Sequence, residues 1–235
     1  MIRLPQGDWL LPANGTPCLL VAGGSAPDKA WLAAAAAGRE VWSVDRGLSY
    51  CRAAGIVPYK LIGDGDSAPP EDWQWALAQG VSAERHPSEK DDTDMQLALA
   101  RLQQAYPAGG NVVVCGGWGS RPDHFFSTLF TLADWGRRAG FRVIMADEQQ
   151  HLAILYEEEQ ISFHYNAHMQ PLVLSLLPLS PSATVSLEGV RWPLQQAALN
   201  QAYPYAVSNR VLAGEHPIIT VSVGMVGCYL AWHEG

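Results

Sequence analysis

The string Gly63-Asp64-Gly65-Asp66-Ser67 is the strongest chemical signal in this chain. Two carboxylates two residues apart, flanked by glycines, can turn toward one point. Mg²⁺ takes oxygen ligands of this kind and usually keeps waters and substrate phosphates in its shell. A plain Gly/Asp turn would give the same string, since Asp-Gly is a turn dipeptide. The next string is Lys90-Asp91-Asp92-Thr93-Asp94. Thr93 with Gln96 fits a capping box at a helix start, and acids there favour the helix's positive end. Capping needs one side chain, whereas three acids and a lysine crowd the spot. A lysine beside carboxylates also suits a metal–phosphate site, with the cation on the phosphate and the acids on the metal.

The third string, Gly116-Gly117-Trp118-Gly119-Ser120-Arg121-Pro122-Asp123-His124, is a glycine-rich loop running into a helix. Glycines let a backbone approach phosphates, a helix start offers free N–H groups, and Arg121 can fork onto phosphate oxygens. No lysine follows the glycines, so this is not a P-loop of the G-x-x-x-x-G-K-[ST] kind. A tight strand-to-helix turn would also explain the glycines, and His124 reads equally well as a buried, satisfied histidine.

The elements that must position these strings follow from hydrophobic patterning. Apolar runs at 18–22, 40–44, 59–62, 111–115 and 141–145 read as buried strands, and residues 28–37, 71–79, 93–106 and 122–138 read as helices between them. Strands alternating with helices predict a mostly parallel α/β sheet over residues 1–150. Gly63-Asp64-Gly65-Asp66-Ser67 and the glycine-rich string at 116–121 then each follow a strand, as do Gly23-Gly24-Ser25, Asp45-Arg46-Gly47 and Asp147-Glu148. Ligands of open parallel sheets bind beyond the carboxyl ends of the strands, so these residues are expected along one edge. From residue 151 the texture changes to short strands at 152–156, 160–165, 172–177, 184–187, 205–208, 218–223 and 226–232, with a possible helix at 194–200. The last two strands, separated by Gly224-Met225, suggest a closing hairpin. Residues 151–235 are therefore expected to form an all-β sandwich.

Bulk composition narrows the class. The 235 residues are 48% hydrophobic and 16% charged, an ordinary globular balance. A net charge of −8 disfavours a nucleic-acid partner. No apolar stretch is long enough to span a membrane, and the N-terminus lacks a signal peptide's apolar run. Cys18, Cys51, Cys115 and Cys228 lie far apart, which reads as separate reduced thiols and a cytoplasmic setting.

Taken in order and spacing, the strings resemble the thiamine pyrophosphokinase family. Asp45, G-D-G-D-S at 63–67, K-D-D-T-D at 90–94 and G-G-W-G-S-R-P-D-H at 116–124 match its first part. L-S-L-L-P-L at 174–179, E-G-V-R-W-P-L at 188–194 and V-S-N at 207–209 match its second. The resemblance covers roughly residues 18–232. It implies an ATP-dependent thiamine diphosphokinase that moves pyrophosphate from ATP to thiamine, giving thiamine diphosphate and AMP. It implies an N-terminal α/β catalytic domain, a C-terminal thiamine-binding β-sandwich and a homodimer with thiamine held between domains of different subunits. On this resemblance Asp64, Asp66 and Asp94 hold Mg²⁺, with Asp45 and Asp91 close by. Asp64, Asp66, Asp91 and Asp94 form the catalytic set. Asp45, Lys90, Thr93, Arg121, Asp123 and His124 lie along ATP. Ser208 and Asn209 meet the thiamine ring, and Trp192 either packs near it or sits in the sandwich core. Two departures stand out. Arg46 occupies a place where the family usually has glycine, and Thr128 one where it often has asparagine. The alternatives are a related pyrophosphokinase acting on a pterin alcohol and a non-catalytic nucleotide- or thiamine-binding protein.

Overall fold

The structure, a computed structural model, describes residues 1–11, 15, 17–87, 89–119, 121–166 and 168–232. Ser120 of the glycine-rich string and residues 233–235 at the end of the expected second domain lie outside the described residues. The chain divides into two compact units, Asn14–Asp147 and a second made of Met1–Ala13 with Glu148–Gly235.

The chain opens with an antiparallel pair, β1 (Ile2–Leu4) and β2 (Gly7–Leu10). The α/β unit follows: β3 (Pro17–Val21), α1 (Lys29–Ala36), β4 (Glu40–Val44), α2 (Gly47–Ala53), β5 (Lys60–Gly63), α3 (Pro70–Ala78), β6 (Ser82–Arg85), α4 (Asp94–Ala105), β7 (Gly110–Cys115), α5 (Pro122–Ala139) and β8 (Phe141–Ala146). Its strands run parallel in the order β8-β7-β3-β4-β5-β6. Strands covered on both faces admit few polar residues, and β7 is buried throughout as Gly-Asn-Val-Val-Val-Cys. Helix α2 packs on α1 and α3, and α4 packs on α5. Leu48 of α2, Leu61 of β5, Ala76 of α3 and Val81 form one local core, with Trp73 and Trp75 packed against it. Strand order reverses between β3 and β7, the place where open α/β sheets form their binding crevice.

The β unit adds β9 (Gln150–Leu155), β10 (Glu159–Tyr165), β11 (Val173–Pro178), β12 (Ser182–Glu188), β13 (Leu194–Asn200), β14 (Ile218–Val223) and β15 (Val226–Ala231). One antiparallel sheet runs β1-β2-β10-β14-β12-β13, and β11, β15 and β9 pair antiparallel as a second layer. The layers meet through rings: Phe163 of β10 lies 5.8 Å from Trp232 beyond β15 and 5.8 Å from His151 of β9, and Trp9 of β2 lies 6.3 Å from His151. No described helix is long and apolar enough to cross a membrane.

Four expectations need correction. Residues 1–13 belong with the β unit, because β2 pairs with β10 from Gly7↔Tyr165 to Leu10↔Ser162. Residues 194–200 are a strand, since pairing with β12 overrides the helix preference of Leu, Gln and Ala. Residues 205–208 are irregular and run beside β11, where Leu176 N–H donates to the Ala206 carbonyl. Finally, β14 and β15 do not pair as a hairpin: β14 lies between β10 and β12, and β15 between β11 and β9. Gly224, at φ 83°, and Met225 carry the chain from one layer to the other, and Ser180 Oγ accepts the Met225 N–H at 2.9 Å. Helix α2 and strands β1, β2 and β6 are short and had no clear periodic signal.

Candidate active site

The loops that follow β3, β4, β5 and β7 open into one cleft of about 1290 Å³ in the α/β unit. Two of them are tied together at the switch point. Gly24 N–H donates to the Gly116 carbonyl at 2.8 Å, and Tyr50 of α2 donates its hydroxyl to the Gly24 carbonyl at 2.6 Å. Side chains at Gly24 or Gly116 would collide with the facing backbone, so these glycines serve close loop packing as well as access.

Asp45, Asp64 and Asp94 come together on the cleft wall from three separate segments of the sequence. Asp45 follows β4 in a left-handed conformation, φ 49°, which a non-glycine residue adopts only when its surroundings impose it. Its N–H donates to the Ile62 carbonyl at 2.9 Å, and its Oδ1 accepts the Asp64 N–H at 3.3 Å. Burial, then the charge and hydrogen bond of Asp94 and the charge of Asp64, push the Asp45 carboxyl up from 3.8 to about 7. Asp94 Oδ1 is buried and lacks a well-directed hydrogen bond, and Lys90 Nζ balances its charge from 3.0 Å. Lys90 also donates to the Pro87 carbonyl at 2.9 Å.

Among the described residues no three His, Cys, Asp or Glu side chains already surround one point as metal ligands. Mg²⁺ does not need that, because it is commonly held by one or two carboxylates with waters and substrate phosphates. Carboxylates crowded together in a partly buried wall are what a divalent cation relieves, so this donor set fits the ion.

Gly63 is kept bare by this arrangement: a methyl there would land on Asp45 Oδ1. Gly63→Ala is expected to displace the Asp45 carboxylate, cost about 1–3 kcal/mol of stability and lower turnover about tenfold or more. Urea denaturation alongside steady-state rates checks it. Parent-like turnover would show that Asp45's position is unimportant.

The other expected residues fall into three groups. Asp91, Thr93, Arg121, Asp123 and His124 line the same cleft. Thr93 does form the capping box with Gln96, at 3.2 and 2.8 Å, and so sets where α4 begins. Arg121 and Asp123 are joined by a two-pronged ion pair at 3.2 and 2.5 Å. His124 is exposed, which removes the buried reading. Asp66 is exposed and outside the cleft lining. Its N–H donates to Asp64 Oδ1 at 2.8 Å and closes the turn that holds Asp64.

Ser208 and Asn209 lie in the β unit. Ser208 is exposed, in a left-handed conformation at φ 59°, and its N–H donates to Ser175 Oγ at 3.0 Å. The buried Asn209 amide accepts from Trp192 N–H at 3.2 Å and donates to the Trp192 carbonyl at 2.7 Å. Asn209 therefore fixes the turn that presents Trp192. That ring is 53% exposed beneath the Arg191 guanidinium at 4.9 Å, so it is not a core residue. Sequence reasoning missed Tyr50. Its only signal was Leu48 and Cys51 at helical spacing around it.

Carboxylates pressed together beside cations, at the carboxyl ends of parallel strands, suit polyphosphate chemistry, and the fold and cleft define a phosphoryl-group transferase. Residues 36–145 match the thiamin pyrophosphokinase catalytic domain, and residues 160–226 match the vitamin B1 binding domain of thiamin pyrophosphokinase. The thiamine pyrophosphokinase of Bacillus subtilis (strain 168) is 24% identical over 170 residues, 72% of this chain and 77% of its own. A crystal structure of thiamine pyrophosphokinase from Bacillus subtilis superposes with a TM-score of 0.80 at 20% identity, covering 93% of this chain and 100% of the other. The thiamin pyrophosphokinase from Candida albicans gives 0.77 at 15% identity, covering 92% and 90%. The chain belongs to the thiamin pyrophosphokinase family and carries both its catalytic and its vitamin B1-binding parts.

Proposed function

We propose that this protein transfers a pyrophosphoryl group from ATP to the hydroxyl of thiamine, giving thiamine diphosphate and AMP. The observation that carries the proposal is the group Asp45, Asp64 and Asp94 with Lys90 on one wall of the cleft. The thiamine oxygen forms a bond to the β-phosphorus while the bond from that phosphorus to the bridging oxygen of AMP breaks. The hydroxyl proton passes to a carboxylate, for which Asp91, exposed on the cleft wall, is the first choice. Asp64 and Asp94 on the cleft wall beside Asp45, with Asp66 two residues beyond Asp64, would hold Mg²⁺, which when bound supplies positive charge to phosphate oxygens. Lys90 and Arg121 share that work by releasing their carboxylate partners for phosphate. Positioning and charge compensation are the chain's contribution, with no covalent intermediate needed.

The acceptor belongs to the β unit in this reading, with Ser208 and the exposed Trp192 against thiamine and Asn209 holding that turn. Thiamine is a cation, and a chain with a net charge of −8 favours its approach. Two copies of the chain form the working enzyme. Four separate buried thiols support a cytoplasmic setting, and the acidic surface supports no nucleic-acid partner.

Incubation with ATP, Mg²⁺ and thiamine, followed by chromatography, tests the reaction. Equal amounts of AMP and thiamine diphosphate, dependent on thiamine and abolished by EDTA, are expected. AMP release with a pterin alcohol but not with thiamine would overturn the acceptor. ATP binding with no AMP under any condition would make this a binding protein.

A further inference from the structure

The cleft is an unfavourable place for an anion. Six carboxylates line it, Asp45, Asp64, Asp91, Asp92, Asp94 and Asp123, against three arginine and lysine side chains. Two of the three cations are already committed, Lys90 to Asp94 at 3.0 Å and Arg121 to Asp123 at 2.5 Å. The third is Arg46, exposed on the cleft wall, with no ion pair and no side-chain hydrogen bond among the described residues. A guanidinium free of carboxylates presents its whole fork of N–H donors, the geometry that matches phosphate oxygens.

The local structure explains why this position can carry such a side chain. Asp45-Arg46-Gly47 turns the chain from β4 into α2. A methyl at Gly47 would fall on the Val21 carbonyl, so that glycine is compelled by packing. Position 46 has no such constraint. Arg46 begins α2 without making any side-chain cap, so its side chain has no part in holding the helix. Its Cβ packs beside Gly23, in the loop after β3. One turn later Tyr50 pins Gly24, at 2.6 Å, and the phenol, raised by burial, is pulled back by the Arg46 charge. Arg46 therefore sits beside the glycine loop at the switch point, on a fixed base, with its side chain on the cleft wall.

We propose that Arg46 is the entry anchor for the polyphosphate of the nucleotide, binding phosphate oxygens before Lys90 and Arg121 exchange their carboxylates for phosphate. The assignment rests on the functional reading above. It makes Arg46 a nucleotide-affinity residue specific to this chain's Asp-Arg-Gly turn.

The test is Arg46→Gly, with Arg46→Lys as the conservative variant. Glycine is a good residue at a helix start, so the fold is expected to survive. Arg46→Gln serves if melting curves show that it does not. The KM for ATP should rise about 10- to 100-fold, the usual value of a charge-assisted contact, while kcat and the KM for thiamine stay within about threefold. Inhibition by inorganic tripolyphosphate should weaken in parallel, inhibition by adenosine should not change, and Arg46→Lys should recover part of the loss. An unchanged KM for ATP, or a change confined to thiamine, overturns the assignment. Calorimetric titration with tripolyphosphate compares parent and variant without turnover. A parent that binds it but forms no thiamine diphosphate defeats the functional reading alone, and equal binding by parent and Arg46→Gly defeats this proposal alone.

Discussion

Asp45→Asn is expected to yield a metal-free protein that is more stable than the parent at pH 8 and almost inactive. Asp45 is packed against Asp94 and Asp64 in a partly buried position, and its carboxyl is raised from 3.8 in the ordinary state to about 7. A group raised on folding stabilises most fully below its unfolded value, and that contribution is lost as pH rises through the folded value. Without a bound cation, the parent should therefore lose stability between pH 4 and 7 relative to the variant. The full shift would correspond to about 4 kcal/mol, but Asp45 is partly exposed and solvent screens much of it. A gain of about 1–2 kcal/mol at pH 8 is expected, shrinking to nothing near pH 4. The amide keeps the shape of the side chain but not the charge, and turnover should fall about 100-fold or more. Denaturation in EDTA across pH, paired with turnover, decides it. A variant less stable at pH 8, or one with near-parent turnover, would show that the crowding has no functional origin.

The second large effect lies in the β unit. Trp9, Gln6 and His151 are fully buried, and Trp9 Nε1–H donates to His151 Nδ1 at 3.2 Å. His151 Nε2 lies 3.2 Å from Gln6 Oε1, so the ring is neutral with its proton on Nε2. Burial lowers the His151 value from 6.5 to about 3. Here the unfolded chain takes up the proton first. Stability from this group is complete above 6.5 and is lost as pH falls toward 3, by about 1.4 kcal/mol per unit. Trp9→Ala should cost about 3–5 kcal/mol through the cavity and should also leave Nδ1 without its donor. His151→Gln, which can keep both hydrogen bonds, should be less stable at pH 7 but nearly flat between pH 6.5 and 4. Urea midpoints across that range are the measurement. An unchanged slope in His151→Gln would assign the acid sensitivity to other groups.

These two predictions divide what was legible in the chain from what was not. The order of chemical strings was readable directly. Gly63-Asp64-Gly65-Asp66 and Lys90 to Asp94 stand out by composition, and the strand read before Gly63 must deliver the first of them to the binding edge whatever the strand order. The alternation of apolar runs with helical stripes determined the parallel α/β sheet, because a strand covered on both faces admits few polar residues. Thr93 with Gln96 announced the start of α4 through a contact three residues long.

Contacts that span the sequence were not readable in this way. That Asp45 meets Asp94 depends on where β4 lies relative to α4, and that crowding raises a carboxyl which the sequence leaves ordinary. The commitments of Lys90 and Arg121, which leave Arg46 as the uncommitted cation, are likewise matters of distance. In the β unit, local propensity read residues 194–200 as a helix and residues 218–232 as a hairpin. Pairing with β12 and the crossing at Gly224 overruled both. Residues 2–10 carry little periodic signal, yet β2 joins β10 and sends Trp9 to His151, 142 positions away. Short-range pattern determines which faces are apolar and which residues can do chemistry. Which carboxylates crowd one another, and which strands share an edge, is determined only when distant segments compete for the same space.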